Sequence, residues 1–238
     1  LAEISYKITG GIMILAPYAV FALITPVVAS NGPKVLLPLL SVIIIVYVGC
    51  VLHAALVYSS TLMVFAKFSP MKFFKGIFPA QAIAFTTCSS SATLPVNMQC
   101  TEENLGVPKS ISSFVLPLGA TINMDGTALY QGICALFIAN VYGLDLTIAQ
   151  QATIVLTATL ASIGTAGVPG AGLIMLTMVL QTVGLPLEGL ALVAGIDRIL
   201  DMARTTINIT GDSACAIVIA ASENELDRDC QIKHTYSA

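Results

Sequence analysis

Five charged residues, Asp197, Arg198, Asp201, Arg204 and Asp212, interrupt a run over about 189–221 that is otherwise apolar enough to cross a membrane. In hydrocarbon each such side chain costs roughly 2.5–3.5 kcal/mol on insertion scales, so a functional role is the default expectation. At about 100° per residue, Asp197, Asp201, Arg204, Asn208 and Asp212 fall on one helical stripe, with Arg198 off its edge. Arg204 carries a planar fork suited to bidentate recognition of a carboxylate. Asp201, about one turn away, is placed to accept an amino group. Together they describe a ligand with an ammonium and a second carboxylate, which is an acidic amino acid. The alternative is an internal Arg204–Asp201 ion pair that binds no substrate.

Three further segments carry matching chemistry. Ser89-Ser90-Ser91 reads as the start of a half-helix, where unpaired N–H groups and the positive dipole end receive an anion and small hydroxyls add donors. The Gly-rich stretch from Gly164 to Gly172 permits left-handed dihedrals and close backbone approach, as a gate with carbonyls facing an ion would need; helix packing through small residues explains it equally well. Asn123-Met-Asp-Gly126 offers amide and carboxylate oxygens where a helix can unwind at Gly126. A hard cation such as Na⁺ prefers oxygen ligands, with Asp125 and Asp212 supplying the charge and Asn123, Asn208 and freed carbonyls the rest. Carboxylates merely paired to Arg198 or Arg204 are the structural alternative.

These segments sit in a chain of 238 residues that is 56% hydrophobic and only 10% charged, with a mean hydropathy of +0.90. Soluble domains carry about 25% charged residues, so the chain reads as a polytopic membrane protein. No Lys or Arg lies between Lys109 and Arg198, which leaves no basic patch for nucleic acid. Six cysteines without a CxxC pair read as buried free thiols rather than a metal or disulfide framework. His53, alone in an apolar run, reads as packed. No initiator Met or cleavable signal precedes the first span, and a fragment of a longer protein is expected.

Residues 1–70 are read as two transmembrane helices, 8–30 and 35–66, separated at Asn31-Gly32-Pro33. The cluster Lys67 to Lys75 is assigned to the cytoplasm by the positive-inside rule. Within 71–143, two short apolar arms flank the Ser tip as a re-entrant hairpin, followed by a helix interrupted at Asn123–Gly126. Residues 144–222 repeat this order, with a second hairpin around the Gly-rich tip and then the polar-striped helix. Residues 223–238 form a cytoplasmic tail. The predicted fold is therefore all-α, with two re-entrant hairpins in an inverted repeat, the pattern of secondary transporters.

Four motifs, Ser-Ser-Ser-Ala-Thr-Leu-Pro (89–95), Pro-Leu-Gly-Ala-Thr-Ile-Asn-Met-Asp-Gly-Thr (117–127), Ser-Ile-Gly-Thr-Ala-Gly-Val-Pro-Gly-Ala-Gly (162–172) and Asp-Met-Ala-Arg-Thr-Thr-Ile-Asn-Ile-Thr-Gly-Asp (201–212), resemble in order and spacing the dicarboxylate/amino acid:cation symporter family. The resemblance implies the glutamate transporter homologue fold without its N-terminal helices. It also implies Na⁺-coupled uptake of glutamate or aspartate by an elevator-type mechanism, and a homotrimer in the bilayer of the plasma membrane. Substrate contacts implied are Ser89 and Ser90 at the first tip, then Thr127, Val168, Gly172, Asp201, Arg204, Thr205 and Asn208. Gly119, Asn123, Asn208 and Asp212 would hold one sodium. Carbonyls of Thr121, Ser162, Ile163 and Thr165 would hold a second. Asn123 and Asp125 would hold a third, completed by a helix this chain lacks.

The chain departs from the family pattern at Cys88, where archaeal members carry arginine, and at Met202, where animal members do. Arg198 is expected in the same neighbourhood. Asp201 favours an amino acid over a plain dicarboxylate, since an unpaired buried carboxylate would repel the latter. Asp212, where proton-coupled bacterial relatives have asparagine, favours sodium; a proton-coupled glutamate/aspartate or C4-dicarboxylate symporter is the alternative. An intramembrane aspartyl protease is disfavoured because Ile209-Thr-Gly-Asp212 lacks the first glycine of the required motif.

Overall fold

The computed structural model describes residues 36–232 continuously and, before them, only scattered positions between 15 and 32. Most of the expected span 8–30, and the last residues of the tail, 233–238, thus lie outside the described residues. All regular structure among those described is helical.

Helix α1 (Leu36–Leu52) runs without a break into wider π-type turns at His53–Tyr58 and Leu62–Ala66. Its stretch Leu37–Ala66 is 30 residues long, with a mean hydropathy of 2.6, enough by length and composition to cross a membrane. Only 17% of its most apolar window is buried. Leu37, Ile44, Val48, Leu56, Val64 and Phe65 all face outward. Large exposed apolar side chains continue over the rest of the molecule, while Asp197, Asp201, Arg204 and Asp212 are buried. That is the reverse of a water-soluble surface.

Two helix pairs follow, each with an interrupted or striped helix behind it. Ser69 caps α2 (Pro70–Thr87) by accepting from the Lys72 N–H, with Pro70 in the first turn where it loses no hydrogen bond. The helix stops at Cys88, whose left-handed φ of 55° turns the chain. Ser89 then caps α3 (Ser90–Glu103) through the Ala92 N–H at 3.1 Å. Helices α4 (Lys109–Ile122) and α5 (Asp125–Val141) are separated by a non-helical Asn123–Met124. The break thus falls within the expected interruption Asn123–Gly126, at its first two residues rather than at Gly126 itself. That glycine stays helical, and a Cβ there would collide with the Arg204 carbonyl oxygen. The second pair is α6 (Ile148–Ile163), opened by a Thr147/Gln150 capping box, and α7 (Ala171–Thr182).

A short helix α8 (Leu190–Ala194) precedes α9 (Asp197–Ser222), so the striped run is two helices rather than one from 189. Helix α9 is central: α1, α2, α3, α4 and α5 all pack on it, whereas α6 and α7 pack mainly on α5 and on each other. The first pair is bound to α9 by polar contacts along its length. Gln81 donates to Thr210, Asn97 donates to the Ile209 carbonyl and accepts from Ser213, and Thr101 and Ser213 share a bond of 3.0 Å. The start of the tail is also fixed. The Asp227 N–H donates to the Gly106 carbonyl at 2.9 Å, and Lys72 Nζ donates to the Arg228 carbonyl at 2.8 Å.

Candidate functional site

The tips of the two helix pairs meet over α9. The Gly167 carbonyl accepts from the Ser91 N–H at 3.1 Å and from Ser89 Oγ at 2.7 Å. Gly167 must be glycine, because a Cβ would come within 2.8 Å of Ser91 Oγ and 3.1 Å of the Ala120 carbonyl. Beneath this junction lies a cavity whose lining includes Ser90, Thr127, Val168, Gly172, Asp201, Arg204, Thr205 and Asn208. All eight were substrate candidates. Ser89, the ninth, is not in the lining; its hydroxyl caps α3 and ties the tips together. The cavity measures about 10 Å³, room for about one water, so the tips are closed on it. The larger grooves, about 580 Å³ and 360 Å³, are apolar and touch α1.

Inside the cavity Arg204 and Asp201 pair in the bidentate manner, Nη2 to Oδ2 at 2.7 Å and Nε to Oδ1 at 3.1 Å. Asp201 also accepts from Thr205 Oγ1 at 2.7 Å and from the Gly170 N–H at 3.0 Å, which reaches it from the second tip. The internal ion pair considered from sequence is therefore present, yet it leaves Arg204 incompletely used. Nη1 of Arg204 has no hydrogen-bond partner and only a 3.5 Å ionic contact with Asp197. It packs where any side chain on Gly172 would strike it.

Behind Arg204 stand two residues that sequence reasoning did not assign. Tyr130 donates to Asp197 Oδ1 at 2.8 Å, and its ring lies 4.5 Å beneath the guanidinium. Asp197 was read as part of the stripe; Tyr130 gave no sign, being one aromatic in an apolar helix.

A second cluster adjoins the first. Asn123 Nδ2 donates to Asp212 Oδ1 at 2.9 Å and, at 3.4 Å, to the Asn208 carbonyl. A Cβ on Gly119 would sit 2.5 Å from that Asp212 oxygen, so the α4 backbone lies directly on the carboxylate. Gly119, Asn123, Asn208 and Asp212, the first proposed sodium set, are thus together. Asp125 faces the same space, held by Tyr58 OH at 2.6 Å and His53 Nε2 at 3.1 Å. His53 is accordingly more than packed: it and Tyr58, in the π-type turn that follows α1, both reach Asp125. Of the remaining set, Ser162 and Thr165 are buried but Thr121 and Ile163 are exposed, and the Ser162 carbonyl is taken by the Thr165 N–H. That set is the least assembled.

Asn208 joins the two clusters. Its carbonyl faces Asn123, while its side chain donates to Thr127 Oγ1 at 3.1 Å and accepts from the Thr127 N–H at 3.3 Å. Among the described residues, the buried side-chain atoms without a hydrogen-bond partner are Asp125 Oδ1, Asp212 Oδ2, Gln131 Oε1 and Arg204 Nη1. The two carboxylate oxygens and Arg204 Nη1 belong to the two clusters, while Gln131, outside the cavity lining, donates through its amide to the Gly172 carbonyl at 3.4 Å. Buried polar atoms are nearly always paired, so the first three mark where a ligand's groups would be accommodated.

Buried charges of both signs thus lie where the two helix tips meet, among described residues whose exterior is largely apolar. The chain belongs to the sodium:dicarboxylate symporter family, whose model matches residues 1–222. It is similar to the proton/sodium-glutamate symport protein of Geobacillus stearothermophilus, 41% identical over 96% of this chain and 54% of that protein. Mouse excitatory amino acid transporter 2 is 43% identical over 95% of the chain and 40% of its own length. The proton/glutamate-aspartate symporter of Escherichia coli K12 is 42% identical over 96% and 52% respectively. The chain spans about half the length of these relatives. Family and relatives are symporters, not enzymes.

Proposed function

We propose that the protein is a carrier that couples Na⁺ entry to uptake of glutamate or aspartate, working as part of a longer, trimeric protein in the plasma membrane with its C-terminus in the cytoplasm. One observation carries the reading: Asp125 Oδ1 and Asp212 Oδ2 are buried acceptors without a partner, and Arg204 Nη1 is a buried donor without one. This is the complement of cations plus a carboxylate. The distal carboxylate of the substrate takes Arg204 Nη1, its ammonium takes Asp201, and its α-carboxylate takes the Ser90 tip. Na⁺ neutralises Asp125 and Asp212. Because Asn208 contacts both clusters, ordering one favours ordering the other, and the coupling is reciprocal. The two tips form re-entrant hairpins of an inverted repeat, and the assembly built on α9 moves as a rigid body in an elevator-type cycle.

The test is calorimetric titration of aspartate into the full-length protein with and without Na⁺. Binding that tightens at least tenfold with Na⁺ supports the reading, and aspartate binding indifferent to Na⁺ refutes sodium coupling. Proton coupling is the second reading, favoured by the names of the bacterial relatives. Uptake into vesicles driven by a pH gradient in Na⁺-free buffer would establish it instead.

A further inference from the structure

Arg198 is the one charge of the α9 sequence that the binding site does not use. One residue earlier, Asp197 turns inward to Tyr130 and Arg204. Arg198 turns the other way, to the end of α2. Its Nη2 donates to the Thr86 carbonyl at 2.9 Å and its Nη1 to the Thr87 carbonyl at 3.4 Å. An α-helix leaves its last four carbonyls without intrahelical partners, and here each of the four is accounted for. Ala84 accepts from the Cys88 N–H at 2.9 Å, Phe85 accepts from Cys88 Sγ at 3.8 Å, and Arg198 takes the last two. The Arg198 carbonyl lies 3.9 Å from Cys88 Sγ, an alternative acceptor for the single S–H that otherwise faces Phe85.

Position makes this more than a helix cap. Cys88 and Ser90, immediately beyond those carbonyls, line the cavity. The first tip therefore presents two helix ends of opposite sign to the same small space. The start of α3 is positive and attracts an anion, while the end of α2 carries the equivalent of about half a negative charge and repels one. We infer that Arg198 is a positioning residue for anionic substrate: its guanidinium fixes the first tip and cancels the negative end of α2 beside the cavity. Both effects serve the carboxylate-binding half of the site, so the inference rests on the proposed function. It predicts that charge at 198 matters, and not merely a hydrogen bond. Lysine keeps the charge at the carbonyls. Glutamine keeps a donor without it.

The experiment compares full-length wild type, Arg198→Lys and Arg198→Gln by two measurements: calorimetric aspartate affinity in saturating Na⁺, and backbone hydrogen exchange over residues 84–91. Arg198→Gln is expected to bind aspartate about five- to tenfold more weakly and to exchange faster at the tip. Arg198→Lys should stay within about threefold of wild type and keep most of the protection. Unchanged affinity in Arg198→Gln, or equal losses in both variants, overturns the inference. If wild type itself binds no aspartate, the proposed function fails, and exchange at the tip still decides the hold of Arg198 on it: faster in Arg198→Gln alone upholds it, equal in all three proteins removes it.

Discussion

Asp212→Asn separates the cost of a buried charge from its use. Asp212 is 1% exposed, Oδ1 accepts from Asn123 at 2.9 Å, and Oδ2 has no partner. Asparagine fills the same volume and can keep the Oδ1 contact, so the substitution removes a charge and little else. Two unit charges 4 Å apart interact by about 4 kcal/mol at an effective dielectric of about 20. Losing that attraction for a Na⁺ beside Asp212 corresponds to at most about three decades in affinity, and the retained amide oxygen reduces it to about one or two. Without Na⁺, the same change relieves an uncompensated buried carboxylate and should leave thermal stability equal or higher. The assay is a Na⁺ titration of aspartate binding, paired with thermal unfolding of the full-length protein in Na⁺-free buffer. A Na⁺ midpoint that does not move would refute the cation role of Asp212. A midpoint that shifts together with a large loss of Na⁺-free stability would show that the carboxylate is structural.

Arg204→Cys or Arg204→Thr should abolish binding of acidic substrate while neutral amino acids are retained or gained; surviving aspartate uptake would refute the role of Arg204. Tyr130→Phe removes a hydrogen bond to Asp197, of the kind worth about 1.5–3 kcal/mol when one partner is charged. Measured by calorimetry, aspartate affinity should fall at least tenfold as Asp197 loses its hold behind the guanidinium. Gly106→Ala should lower thermal stability by about 1–3 kcal/mol, because Gly106 has φ of 74° and a Cβ there would collide with the Asp227 carbonyl. Its aspartate affinity should be unchanged, since the Gly106–Asp227 contact follows α3 and lies outside the cavity lining.

What was legible in the sequence was written in local signals. The Ser89–Ser91 tip reads as a helix start and Ser89 caps α3, and the 4-3-4-4 spacing from Asp197 to Asp212 set the buried face of α9. Ser69 before Pro70 and the Thr147/Gln150 box are local signals of the same kind that the sequence reading passed over. These depend on neighbours within a turn or two, so one sequence suffices to read them. Other features joined residues far apart in the chain and left no such trace. Tyr58 and His53 reach Asp125 across about 70 positions, and nothing in an apolar run says which side chain will do so. The close approach of the Arg204 carbonyl to Gly126, which a glycine inside a helix admits, likewise joins residues far apart in the chain.

The sequence by itself determined that charges of both signs are buried on one helical face and that two small-residue tips flank it, since composition and spacing carry both. Only the tertiary structure decided how the charges divide among themselves. Arg204 gives two of its nitrogens to Asp201 and leaves one without a hydrogen bond, Arg198 goes to the end of α2, and Asn208 stands between the two carboxylate clusters. The reason is physical: a hydrogen bond depends on distances of tenths of an ångström between groups on different helices, and those distances are set by how the helices pack.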